Sequence, residues 1–259
     1  MQGISLRRLR GITRYAQNLL HLCIVVLPMA ACAADVTELN VDGVNLAACA
    51  MDLRKDRLAM HWKSDAGQVY GSLQALDAAL RKQGRKIVCG TNGGIFDRSQ
   101  RPLGLYIENG TLLRRLNLRR NAYGNFYLQP NGVFLLYPGR AEIVTTEEYQ
   151  AKSDAEKRLI AFANQSGPLL VRNGEPNPLF PADSTNITTR NAVCVRSPTS
   201  VVLVVTQVPV TFYDFARVLA ERFACQTALY LDGSLSSFYP KRRAGLERAL
   251  GVLFAVTTP

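Results

Sequence analysis

Apolar positions fall in short runs bounded by glycine, proline or asparagine, interrupted by two longer stretches with helical spacing. That pattern predicts a strand-rich domain. Residues 44–51 and 57–62 are expected as antiparallel strands joined by the polar turn around Arg54, Lys55 and Asp56. Residues 70–83 predict an amphipathic helix, because Leu73, Leu76, Ala79 and Leu80 share one face and Gly84 can stop it. Residues 87–90 follow as a buried strand.

The middle of the chain continues in strands. Residues 104–108 and 111–113 predict a hairpin, since Asn109-Gly110 is the preferred pair for a type I′ turn. Residues 125–128 and 132–137 flank Gln129-Pro130-Asn131 as a second strand pair, and 147–157 reads as one polar, exposed helix. Residues 173–185, rich in proline and turn formers, form a long ordered loop. The β-branched runs 191–195 and 200–206 suit central strands, 212–224 is a helix with Phe215, Val218, Leu219 and Phe223 inward, and 251–256 is a closing strand. The expectation is a single α+β domain over residues 35–259: a large mixed or antiparallel β-sheet system with two or three packed helices.

Three apolar runs break into small polar residues where a strand would normally turn or continue. They are Thr91-Asn-Gly-Gly-Ile-Phe-Asp97, Asn164-Gln-Ser-Gly-Pro168 and Leu231-Asp-Gly-Ser-Leu-Ser236. Polar groups at strand exits are a common way to mount a site on a rigid scaffold. Asp232 is the leading carboxylate. It ends an apolar strand, and partial burial there would raise its pKa and suit it to acid–base chemistry, the alternative being a turn cap. Asp97 either orients a ligand or fixes its own loop. Asn92, Gly93 and Gly94 can present an amide and two backbone N–H groups, as can Asn164, Ser166 and Gly167, with a tight turn as the competing account. Arg190 carries a planar fork matched to phosphate, and Ser234 and Ser236 add hydroxyls.

Composition narrows the chemistry. The chain has only two histidines, His21 and His61. His21 falls in a leader, and His61 is expected to be structural, so a Ser-His-Asp triad and a histidine metal site have no material to work with. No P-loop or dinucleotide fingerprint is present. Residues 1–34 have the form of a signal peptide: arginines at 7, 8, 10 and 14, a short apolar core at 19–27, then small residues. Cleavage would give a periplasmic or secreted protein without a stable transmembrane anchor, and Met29-Ala-Ala-Cys32 offers a lipoprotein alternative through Cys32. Loss of four arginines lowers the net charge from +11 to +7, a balance that favours anionic ligands. The scattered basic pairs, with Lys241-Arg-Arg243, match no nucleic-acid-binding motif. Cys49, Cys89, Cys194 and Cys225 allow up to two disulfides in three pairings, or remain buried thiols.

Four motifs in order, Asn92-Gly-Gly-Ile-Phe96, Asn164-Gln-Ser-Gly-Pro-Leu-Leu-Val171, Thr189-Arg-Asn-Ala-Val193 and Leu231-Asp-Gly-Ser234, resemble the phosphodiester glycosidase family over about residues 45–256. Its animal member reads Asp-Gly-Gly-Gly-Ser where this chain has Asp232-Gly-Ser-Leu-Ser236, so the likeness is closer to the bacterial branch. The resemblance implies an exported hydrolase that cleaves the glycosidic bond of a sugar-1-phosphodiester. Asp232 would then act as base or nucleophile. Arg190, Ser234 and the 92–94 amides would hold the phosphate, with Gly233 and Ser236 beside them, while Asn164 and Asp97 position the sugar. It implies no cofactor. The other readings are a non-catalytic envelope protein binding anionic glycans and a phosphodiesterase whose divalent cation is held by Asp97, Asp232 and Asn92.

Overall fold

A computed structural model describes residues 34–240 and 249–258. The expected signal peptide, Cys32 and the basic triplet at 241–243 lie outside the described residues. In chain order the strands are β1 (Asp35–Val41), β2 (Val44–Asp52), β3 (Arg57–His61), β4 (Ile87–Asn92), β5 (Tyr106–Glu108), β6 (Thr111–Arg114), β7 (Gly132–Tyr137), β8 (Arg140–Thr145), β9 (Phe162–Ser166), β10 (Leu169–Arg172), β11 (Glu175–Pro176), β12 (Asn191–Ser197), β13 (Ser200–Thr206), β14 (Thr227–Tyr230), β15 (Phe238–Tyr239) and β16 (Leu253–Thr257). Among the described residues four helices are interspersed: α1 (Leu73–Arg81), α2 (Thr146–Ala151), α3 (Asp154–Arg158) and α4 (Phe212–Glu221).

The strands form three sheets with antiparallel pairing throughout the described strands. Their orders are β1-β2-β13-β12-β14-β10-β11, β15-β4-β16-β3 and β6-β5-β9-β7-β8. The uninterrupted valines of β13 have a simple cause. Val201, Leu203 and Val205 face a central core shared with Met60, Phe134 and Phe254 of the two smaller sheets. Val202 and Val204 face the opposite way, onto Phe215, Val218 and Leu219 of α4. Helix α1 covers the outer face of the β4–β16 sheet with Leu73, Leu76 and Leu80, and Tyr149 of α2 packs on Val133 and Leu135. The architecture is α+β, as expected.

Some local expectations change. β2 and β3 do not pair: β2 lies between β1 and β13, while β3 pairs with β16, so the polar turn carries the chain from one sheet to another. Residues 125–127 form a 3-10 turn instead of a strand. The polar helix is two short helices, because Lys152 takes an extended conformation and Ser153 caps α3. β1 and β8, mostly exposed or alternating in burial, escaped the apolar pattern. The Asn109-Gly110 turn forms as read, with φ of 49° and 75°.

The cysteines pair as Cys49–Cys89 and Cys194–Cys225. The first ties β2 to β4 across the central core. The second joins β12 to the end of the α4 connection. Both fit an oxidising compartment.

Candidate functional site

β4, β9, β12 and β14 belong to all three sheets, yet their ends meet. Asn92, at the end of β4, donates its Nδ2 to Asp232 O at 2.9 Å and accepts from Ser237 N at 2.9 Å. Asn191, first in β12, donates Nδ2 to Asn92 O at 2.9 Å and to Thr91 Oγ1 at 3.1 Å. Asn164 and Ser166, in β9, reach Gly94 N at 2.7 Å and Leu231 O at 3.2 Å. Thr189 Oγ1 donates to Gly233 O at 2.9 Å, and Ser236 Oγ to the same carbonyl at 2.6 Å. The segments that the sequence singles out therefore converge on one turn, residues 231–237.

Two glycines are required by close approach. A Cβ on Gly233 would sit 2.5 Å from both Arg190 Cα and Thr189 O; one on Gly94 would sit 2.9 Å from Asn164 Oδ1 and Ser166 Cβ. In each case the obstacle is backbone or a fully buried side chain, which cannot move aside cheaply.

Asp232 is 9% exposed. Burial pushes its carboxyl up to about 6, while a hydrogen bond from Ser234 Oγ to its Oδ1 at 3.1 Å pulls the other way. A carboxyl poised there can exchange a proton near neutrality, as an acid–base group must.

Arg190 is fully buried and lies against the same turn, but its guanidinium is largely committed. Nε donates to Val210 O at 2.9 Å, Nη2 donates to Asn186 O at 2.8 Å, and the group stacks 3.6 Å from the Phe212 ring centroid. Burial pulls its pKa below the usual arginine value. Among the described residues no carboxylate pairs with it. Five buried side-chain polar atoms lack a partner within the described residues, and three of them are here: Asn164 Nδ2, Arg190 Nη1 and Asn191 Oδ1. Each such orphan is costly, and three of the five lie around one turn.

Other expected contacts are turned inward. The Gly93 and Gly94 amides donate to Val252 O at 2.7 Å and to Asn164, and both ends of the Asn92 side chain hold the 232–237 turn. Gly167 packs against Asn131 and Phe126 O. These residues hold the turn itself, while Asn164 Nδ2 and Arg190 Nη1 stay without a partner among the described residues. Asp97 stands apart. Its oxygens accept from the backbone of Ser99 and Arg101 and from Arg101 Nε, and among its neighbours these bonds outweigh burial and hold its pKa below the ordinary value. Among the described residues no hydrogen bond or ion pair joins it to Asp232. Among the described residues no group of three or more His, Cys, Asp or Glu side chains is placed to hold a metal.

Sequence reasoning missed Asn191 and Tyr230. The Tyr230 hydroxyl, in β14, accepts from Gly233 N at 2.9 Å and feels both Asp232 and Arg190. Both sit in apolar strands, where asparagine is out of place and tyrosine reads as core; only the asparagine gave a signal. Glu108, at the mouth of the Asn109-Gly110 hairpin, is half-buried, holds the Tyr106 hydroxyl at 2.6 Å, and has its pKa raised by burial. His61 is lowered to about 4 by burial and stays neutral near pH 7.

The sequence profile of the phosphodiester glycosidase family matches residues 85–256. The Escherichia coli K12 protein YigE is 35% identical over 232 residues, 90% of this chain and 89% of its own length. Among solved structures, the catalytic domain of zebrafish N-acetylglucosamine-1-phosphodiester alpha-N-acetylglucosaminidase, auto-inhibited by its pro-peptide, superposes with a TM-score of 0.57 at 16% identity. That match covers 86% of this chain and 81% of the zebrafish one. A Burkholderia pseudomallei protein of known structure superposes with a TM-score of 0.56 at 12% identity, covering 82% and 74% of the two chains. At such identities the structures share the fold alone.

Proposed function

The chain belongs to the phosphodiester glycosidase family, and we propose that it hydrolyses the bond between a sugar's anomeric carbon and a phosphodiester. The observation that carries this reading is the convergence of four motif segments on one turn that holds Asp232, a carboxyl raised by burial to about 6, with the backbone of Arg190 packed against Gly233 of that turn and its guanidinium lacking a carboxylate partner among the described residues. An anionic phosphodiester supplies the missing negative charge. Phosphate is already a competent leaving group, so the site's task is to stabilise positive charge developing at the anomeric carbon and the anion that departs.

In this reading ionised Asp232 faces the anomeric centre, either taking a proton from the attacking water or attacking directly. Ser234 Oγ, bonded to its Oδ1, keeps the carboxylate oriented. Arg190 Nη1 donates to a phosphate oxygen, and Asn164 Nδ2 donates to a sugar hydroxyl. Asn92, Gly94, Asn191 and Tyr230 act through the turn they fix. The protein works outside the cytoplasm after loss of its leader. Its two disulfides support this, and no helix among the described residues is long and apolar enough to cross a membrane.

The test is turnover of a panel of soluble sugar-1-phosphodiesters in isotope-labelled water, with Asp232→Asn alongside. Label in the released sugar, and its absence with the variant, supports glycosidic cleavage. Label in the phosphate would mean P–O cleavage and would end the proposal, as would binding of the panel without product.

A further inference from the structure

Between Asn109 and Ala141 the chain contains no carboxylate, yet it carries Arg114, Arg115, Arg119, Arg120 and Arg140. The same stretch exposes Leu112, Leu113, Leu118, Tyr123 and Leu128, half of the exposed large apolar side chains among the described residues. Neither feature is what a solvated loop needs, because exposed apolar groups in soluble domains are normally scattered. Here five fall within seventeen residues of sequence.

The layout is continuous. β6 is the edge strand of its sheet and, among the described residues, pairs only with β5, which leaves its outer side uncovered by them. Beyond it an open groove of about 510 Å³ is lined by Leu103, Leu113, Leu116 and Leu118 together with Arg114 and Arg115. Arg120 is paired with Glu147. Among the described residues no carboxylate pairs with Arg114, Arg115 or Arg119; Arg114 Nε donates to Pro102 O, and Arg119 lies 5.8 Å from the Tyr127 ring centroid. The segment then runs into the 3-10 turn at Asn125–Tyr127, which borders the site. Asn125 reaches the Tyr230 hydroxyl, the same oxygen that accepts from Gly233 N.

A soluble polyanion would satisfy the arginines and leave the leucines in water. An anionic bilayer satisfies both, since guanidinium groups bind its phosphates while leucine and tyrosine side chains enter the headgroup layer. We propose that β6 and the segment from Arg114 to Leu128 dock on an anionic lipid surface, seating Leu118 and Tyr123 among the headgroups. This places the Asp232 turn beside that surface, and, resting on the proposed reaction, it selects sugar phosphodiesters carried on lipid.

A chain that begins at Ala34 keeps the four hydrophobic clusters and two disulfides of the described residues and lacks the apolar leader, so any lipid binding it shows is its own. It should co-sediment with vesicles of phosphatidylcholine mixed with phosphatidylglycerol, and not with phosphatidylcholine alone. Each arginine near such a surface gives about a fivefold gain at low salt, so Arg115→Ser with Arg119→Ser should weaken partitioning about 25-fold. Leu118→Ser with Tyr123→Ser should weaken it about tenfold. Both pairs are exposed, and turnover of a soluble sugar-1-phosphodiester should be unchanged in each. Turnover of the same sugar phosphodiester anchored in the vesicles should fall with partitioning. Absence of co-sedimentation, or partitioning that survives the Leu118 and Tyr123 changes, overturns the proposal; the latter would indicate a polyanion contact. Vesicle binding that responds to both pairs, with no turnover of either substrate, upholds the docking surface and defeats the reaction instead.

Discussion

Replacing Asp232 with asparagine should stabilise the protein while removing its activity. Burial lifts the carboxyl from an ordinary 3.8 to about 6. Between those values the folded state binds a proton more readily than the unfolded chain, so stability falls as pH rises through the window. A shift of about two units corresponds to about 3 kcal/mol, fully developed above about pH 6 and absent below about pH 4. Asparagine keeps an oxygen for the Ser234 hydroxyl and carries no charge to desolvate. Its second amide hydrogen finds less than it needs, which trims the gain to about 2 kcal/mol. For a domain of this size that is a rise in Tm of about 4–8 °C. Thermal unfolding of both proteins, disulfides intact, at about pH 4 and about pH 7.5 provides the measurement. A gain equal at the two pH values, or a loss near neutrality, would refute the claim that Asp232 is held as a strained anion.

The same ionisation should appear in kinetics: kcat/KM should rise with pH through about 6, and a profile flat across that range would exclude Asp232 as base or nucleophile. Gly94→Ala should lose about 1–3 kcal/mol, because its methyl would meet Asn164 Oδ1 and Ser166 Cβ at 2.9 Å; urea unfolding at parent stability would show that the close approach is not required. Arg190→Lys keeps the charge but not the fork that binds Val210 O and Asn186 O. It should raise KM for phosphodiesters and lower stability by about 2–3 kcal/mol; an unchanged KM would remove Arg190 from substrate binding.

Wherever burial sets the pattern, the fold was readable. The valines of β13 and the leucine face of α1 follow from packing on both sides of a sheet and on one side of a helix. Sheet membership was not, because the polar turn after β2 looks alike whether it closes a hairpin or hands the chain to another sheet. The site was legible through its interruptions: glycine, asparagine and aspartate where an apolar strand should have continued. What each did was less legible. Sequence offers Asn92 and the Gly93 and Gly94 amides as donors to a ligand, while the folded chain uses them on Asp232 O, Val252 O and Asn164. Tyr230 gave no sign, since a tyrosine in an apolar strand is ordinary until its hydroxyl is found on Gly233 N.

β16 occupies an inner position of its sheet, between β4 and β3, and Val252 just before it receives the Gly93 amide. A ribosome delivers this strand after every motif of the site has already emerged. Until it arrives, β4 has an open flank where β16 will lie, and the segment after Asn92 lacks the carbonyl that sets its course. Chains ending short of this strand should therefore be inert even with the whole Asp232 region present, and competence should appear only once the stretch through Thr257 is included.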